Sequence, residues 1–154
     1  MNASALAAPR HVQDHRDGIS GTLTHSATFT LTVSGPGGGT GAPVNGDVET
    51  GSLAPWSCEN GGAVVSTPAY GGAHALAAAA TASQTGDCTQ TLTLSPHATY
   101  TLSGWVHGNF GHLGVRRDTT AGTWGSSSSW TKQSVSFTTG STNAVTVRLH
   151  GWCA

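Results

Sequence analysis

Two stretches of the chain carry aromatic and basic side chains in the same strand phase. In Tyr100-Thr101-Leu102-Ser103-Gly104-Trp105-Val106-His107, alternation puts Tyr100, Leu102, Gly104 and Val106 on one face and Thr101, Ser103, Trp105 and His107 on the other. In Val145 to Trp152 it turns Val145, Val147, Leu149 and Gly151 inward and Thr146, Arg148, His150 and Trp152 outward. If both strands lie in one sheet, Trp105, His107, Arg148, His150 and Trp152 form a single polar, aromatic strip. A flat indole covers the apolar C–H face of a pyranose ring, and imidazole or guanidinium bonds its equatorial hydroxyls, so such a strip suits a neutral glycan. Trp124 lies in the Gly- and Ser-rich run Thr123 to Ser129, where an exposed ring is costly without a ligand, and is a further binding candidate. The competing reading is that loops cover these rings and they extend the core. Trp56, two residues before Cys58, is read as structural, and Trp130, out of phase with Val135 and Phe137, as packed under a loop.

Other chemistry finds less support. Glycoside hydrolysis needs two carboxylates facing each other across a cleft; Asp47, Glu49, Glu59, Asp87 and Asp118 sit near turns or strand ends instead of in a convergent motif. There is no Gly-x-Ser-x-Gly elbow and no His-Glu-x-x-His pair. His107 and His112, around Gly108 to Gly111, are read as turn histidines and not as a zinc clamp. The glycine run from Gly35 to Gly41 lacks the Lys-Ser/Thr of a phosphate-cradling loop. In Asn45-Gly46-Asp47-Val48-Glu49, two carboxylates and an amide beside a turn offer the hard oxygen ligands of Ca²⁺, set against the plainer reading of a solvated turn.

The elements that must position these side chains are short strands. Runs such as Val64-Val65-Ser66-Thr67, Cys88 to Leu94, Tyr100 to His107 and Ser134 to Phe137 each end at Gly, Ser, Asn, Thr or Pro, a last run spans Val145 to Trp152, and close spacing of such runs predicts an all-β sandwich of the jelly-roll type. Ala75 to Ala80 is ambiguous, since alanine favours helix, but its neighbours favour a strand. The domain organisation expected is a disordered tail over 1–20 and a Gly/Pro linker over 35–43, followed by the sandwich over 44–154. Between tail and linker, 21–34 holds the alternating run Thr28 to Val33, an edge strand or a remnant of a preceding domain.

Composition bounds the partners. Six Lys or Arg against seven Asp or Glu, 8% of the chain in all, create no field for nucleic acid or an anionic membrane. No run approaches the ~20 apolar residues of a membrane span. Of the three cysteines, Cys58 and Cys88 are expected to bridge, leaving Cys153 over, which fits an oxidising, extracellular setting. Met1 to Arg10 lacks a basic start and a sustained apolar stretch, so it does not read as a secretory signal.

Several stretches, in order, carry a resemblance: Asn45 to Gly51 with Pro55-Trp56-Ser57-Cys58, Gly72 to Leu76, Cys88-Thr89-Gln90, Tyr100 to Val106, Trp130 to Gly140 and Leu149 to Trp152. With them the region from Val44 to Trp152 resembles the jelly-roll carbohydrate-binding modules of the family 4/9/22 type attached to secreted actinobacterial chitinases and other glycan hydrolases. The resemblance implies a non-catalytic module that binds polysaccharide, chitin or another β-glycan, and holds a catalytic domain of a longer parent protein on insoluble substrate. It also implies a structural Ca²⁺ near Asp47 or Glu49, completed by an acidic residue of a final strand that this chain, stopping at Cys153-Ala154, does not supply. The segment Gly21 to Val33 resembles the closing strands of an immunoglobulin-like accessory domain; alternatively, Phe29, Leu31 and Val33 fill the vacant edge. The rival class is a structural or protein-interaction sandwich with buried tryptophans.

Overall fold

A computed structural model describes residues 24–29, 41–116 and 120–151, the first segment by its backbone alone. The expectations for the tail over 1–20, most of the linker, Asp118, Trp152 and Cys153 therefore fall outside the described residues. None of the described residues is helical. The strands are β1 (Thr24–Phe29), β2 (Ser57–Cys58), β3 (Ala63–Val65), β4 (Ala75–Ala79), β5 (Cys88–Thr93), β6 (Thr99–Arg116), β7 (Ala121–Thr138) and β8 (Ala144–His150). The alanine run is thus a strand, buried from Ala75 to Ala78, because its small side chains fit between neighbouring strands.

All pairings are antiparallel and run in the order β2-β5-β8-β6-β1-β4-β3, with β7 on β6. Two layers result, as an all-β sandwich requires, because the long β6–β7 hairpin serves both. Residues around Gly104 to His107 pair with β1, which in turn pairs with β4, whereas His112 to Arg116 pair with β8, which pairs with β5. Between the layers sits one apolar cluster that includes Leu76, Tyr100, Leu102 and Phe137 from the first and Leu92, Leu113, Val115, Val145, Val147 and Leu149 from the second. Burying one such aliphatic side chain contributes about 1.5–3 kcal/mol. The Tyr100 ring is buried, and its hydroxyl accepts the Ser95 N–H at 2.9 Å, so its polar end is satisfied as its ring is desolvated.

One sequence expectation fails at the hairpin. Gly108-Asn109 does not end the strand: β6 continues to Arg116, and β7, which begins at Ala121 and includes the Gly- and Ser-rich run Thr123 to Ser129, pairs with it. Serine and glycine form strand here because the opposing backbone supplies the ladder bonds that their own weak propensity does not. The pairing is irregular in the middle. From Gly108 to Gly111 β6 advances three residues while β7 retreats two, from Ser127 to Gly125. One extra residue in a strand exchanges its faces, so the buried apolar positions of β6 are even-numbered up to Val106 and odd-numbered from Leu113 onward.

At the entry to the sandwich, the Asn45 turn is locked from two sides. Its Nδ2 donates to the carbonyls of Ser52 at 2.7 Å and Ala54 at 3.1 Å, and Trp56 Nε1 donates to the Asn45 carbonyl at 3.0 Å. Trp56 is accordingly buried and structural, as expected. The expected bridge is present: Cys58 and Cys88 are directly paired residues of β2 and β5 and are joined as a disulfide.

Candidate functional site

The outer face of the second layer carries a row of rings. His112 of β6 is the cross-strand partner of Trp124 on β7 and of His150 on β8, and opposed residues in an antiparallel pair point the same way. Leu113 and Leu149, one residue along, face the core, so these three rings face outward. The ring centroids of His112 and Trp124 lie 4.5 Å apart, those of His112 and His150 4.4 Å apart and stacked, and those of Trp124 and His150 5.0 Å apart, edge to face. Trp124 is 48% exposed, whereas His150 is buried.

The next row is bare by design of the sequence. Gly122, Gly114 and Arg148 are cross-strand partners. The His112 imidazole leans over the two glycines: a Cβ on Gly114 would stand 2.6 Å from His112 Cε1, and one on Gly122 would overlap Nε2. Glycine at both positions is therefore what lets the imidazole lie flat and Trp124 close on it. Arg148, beside this floor, is held by Asp87 through two bonds, Nε to Oδ1 at 3.1 Å and Nη2 to Oδ2 at 2.5 Å. Two parallel bonds to a mostly buried carboxylate fix the plane of the guanidinium.

Both histidines are neutral at neutral pH. Burial pushes His112 down to about 4, helped by the nearby His150 and Arg148 and opposed by Asp87. Burial also lowers His150, against the raising effect of the Gly151 carbonyl. His150 Nδ1 lies 2.6 Å from that carbonyl. A carbonyl only accepts, so Nδ1 carries the proton and Nε2 is an acceptor. His112 Nδ1 is buried without a hydrogen-bond partner. The face therefore combines a half-exposed indole, a part-buried imidazole stacked on a buried one, and an anchored guanidinium, a set suited to a neutral, hydroxyl-rich ligand with apolar ring faces.

The expected strip is divided. Trp124, Arg148 and His150 share this face, but Trp105 and His107 belong to the first layer, where they pair with Thr28 and Ser26 of β1. Alternation placed each residue on the outside of its own strand, but the two strands meet only beyond the phase change in β6, so they present their outer faces on different layers. Trp152 lies outside the described residues. His112 was missed as a partner of His150 because Gly108 to Gly111 read as a turn; the alternation His112-Leu113-Gly114-Val115-Arg116 was the available signal.

Asp47 and Glu49 do not approach these rings. Both Glu49 oxygens take backbone N–H groups, Oε2 that of Ala73 and Oε1 that of His74, each at 3.0 Å, and these bonds hold its carboxyl below the usual range. Asp47 Oδ1 accepts the Glu49 N–H at 3.3 Å. Among the described residues no three His, Cys, Asp or Glu side chains gather as a metal cage. In this arrangement the pair ties loops together.

A family model described as a carbohydrate binding domain matches residues 42–154. Over 138 residues, 87% of this chain, the sequence is 36% identical to Exochitinase 1 of Streptomyces olivaceoviridis, and the match spans 23% of that protein's length.

Proposed function

Because the chain belongs to this family of carbohydrate-binding domains, we propose that it is a non-catalytic module that binds polysaccharide, chitin or another β-glycan, on the Trp124 face. Trp124 stacks on one face of a sugar ring, while the His112 imidazole and the Arg148 guanidinium bond the hydroxyl rim and His150, stacked on His112, backs them. The observation that carries this reading is the half-exposed indole seated on two neutral imidazoles above a glycine floor. The carboxylates favour binding over hydrolysis: Asp87 is engaged by Arg148, and Glu49 by two backbone N–H groups, so neither is poised as acid or nucleophile. The relationship to an exochitinase supports a place beside a catalytic domain in a longer parent, and the Cys58–Cys88 disulfide supports an extracellular setting.

Pull-down on insoluble chitin, cellulose and xylan tests the proposal. Loss of one ring–sugar stack, at about 1.5 kcal/mol, lowers affinity roughly tenfold. Trp124→Ala is therefore expected to deplete the bound fraction on the preferred polymer while the melting temperature holds. An unchanged bound fraction on every polymer refutes the site.

A further inference from the structure

A second group of rings lies on the outer face of the first layer. Trp105 is the cross-strand partner of Lys132, which places Trp130, two residues earlier on β7, on the same face. Tyr70, from the β3–β4 connection, stacks on Trp105 with centroids 4.1 Å apart and planes inclined by 26°. Trp130 lies 5.8 Å from Tyr70 and 5.4 Å from His107. Around them the strand face is lined with hydroxyls, including the cross-strand pairs Thr99 with Thr138 and Thr101 with Ser136. Lys132 is the charged neighbour.

The loop that delivers Tyr70 is anchored just beyond the ring. The two bonds from Ala73 and His74 to Glu49 pin its far end, and a Cβ on Gly72 would overlap that carboxylate. Tyr70 itself is 36% exposed and is followed by Gly71 at φ +72°. Its ring can therefore lift from Trp105 without disturbing either sheet. A pyranose ring needs an aromatic face on one or both of its sides and hydroxyl partners at its rim, and this patch offers both with little charge to favour an ionic partner.

We propose that Tyr70, Trp105, Trp130 and His107 form a second glycan-binding surface, so that one module holds two polysaccharide chains, one on each outer face. The proposal rests on the reading of the Trp124 face as a sugar site. Sheets in a sandwich pack about 10 Å apart with their outer faces turned away from each other, so two ligands bind without competing. On an insoluble polymer the second contact becomes intramolecular and raises retention well above either face alone.

Calorimetric titration of the full chain with chitohexaose, cellohexaose and xylohexaose decides it, using Trp124→Ala, Trp105→Ala and Tyr70→Ala. The last lies in a loop and keeps the test open if Trp105→Ala fails to fold. Two sugars bound per intact chain, falling to one in the Trp124 variant and to one in the Tyr70 variant, is the expected result. One sugar per chain, lost only in Trp124→Ala, overturns the second surface and leaves the Trp124 face standing. One sugar, lost only in Tyr70→Ala, overturns the Trp124 reading and the two-site proposal together, and so does an absence of binding to all three sugars.

Discussion

Acid destabilises this domain through His112, and the size of the effect follows from its surroundings. Its imidazole is half-buried, one ring nitrogen lacks a partner, and His150 and Arg148 stand close, so it holds its proton only below about 4. In the unfolded chain it titrates near 6.5. The unfolded state thus takes up the proton first as pH falls: stability is complete above 6.5, declines between 6.5 and 4, and levels off below. The gap corresponds to about 3.4 kcal/mol at about 1.36 kcal/mol per tenfold, and screening at a half-exposed group reduces this to roughly 1.5–2 kcal/mol. With a urea slope of about 1–3 kcal/mol/M, the unfolding midpoint is expected to drop by roughly 0.5–2 M between pH 7 and pH 4. His150, lowered for the same first reason, adds in the same direction. Urea unfolding across that range, run beside His112→Gln, is the assay, with imidazole proton resonances locating the titration directly. In the variant, less than half of the decline should remain. A flat midpoint from pH 7 to pH 4, or a His112 resonance that titrates near 6.5, refutes the reasoning.

Three further outcomes are expected. Replacing Cys58 and Cys88 by serine removes a link between residues 30 apart in sequence; by loop-closure entropy this lowers stability by about 3–4 kcal/mol, read as a fall in melting temperature of roughly 10–15 °C. Arg148→Lys keeps the charge but loses the paired bonds to Asp87, whose side chain is 9% exposed; a loss of about 1–3 kcal/mol in denaturant titration is expected, and an unchanged midpoint would show that the pair adds nothing. Gly72→Ala drives a methyl against the Glu49 carboxylate; it should loosen the Tyr70 loop and raise iodide quenching of tryptophan fluorescence at a cost of about 1 kcal/mol.

The Asp47–Glu49 turn shows carboxylate oxygens put to use within the chain itself. Asp47 and Glu49 were noticed as oxygen ligands near a turn, and they do act through their oxygens, but toward backbone N–H groups. A carboxylate list cannot tell a cation from an amide, because both satisfy the same lone pairs.

The amino-acid order alone determined which side of each strand is apolar. Tyr100, Leu102 and Val106, and likewise Val145, Val147 and Leu149, are buried as their alternation required, and the all-β class followed from many such short runs. Alternation is local, since it depends only on the pleat of one strand. Which outer faces meet is a different quantity, set by register and by which strand lies beside which. One extra residue between Gly108 and Gly111 reversed the phase of β6, carried His112 beside His150 and Trp124, and left Trp105 with Tyr70 and Trp130 on the other layer. That residue acts only through pairing with β7, so its consequence exists in the assembled sheets and not in any segment read by itself.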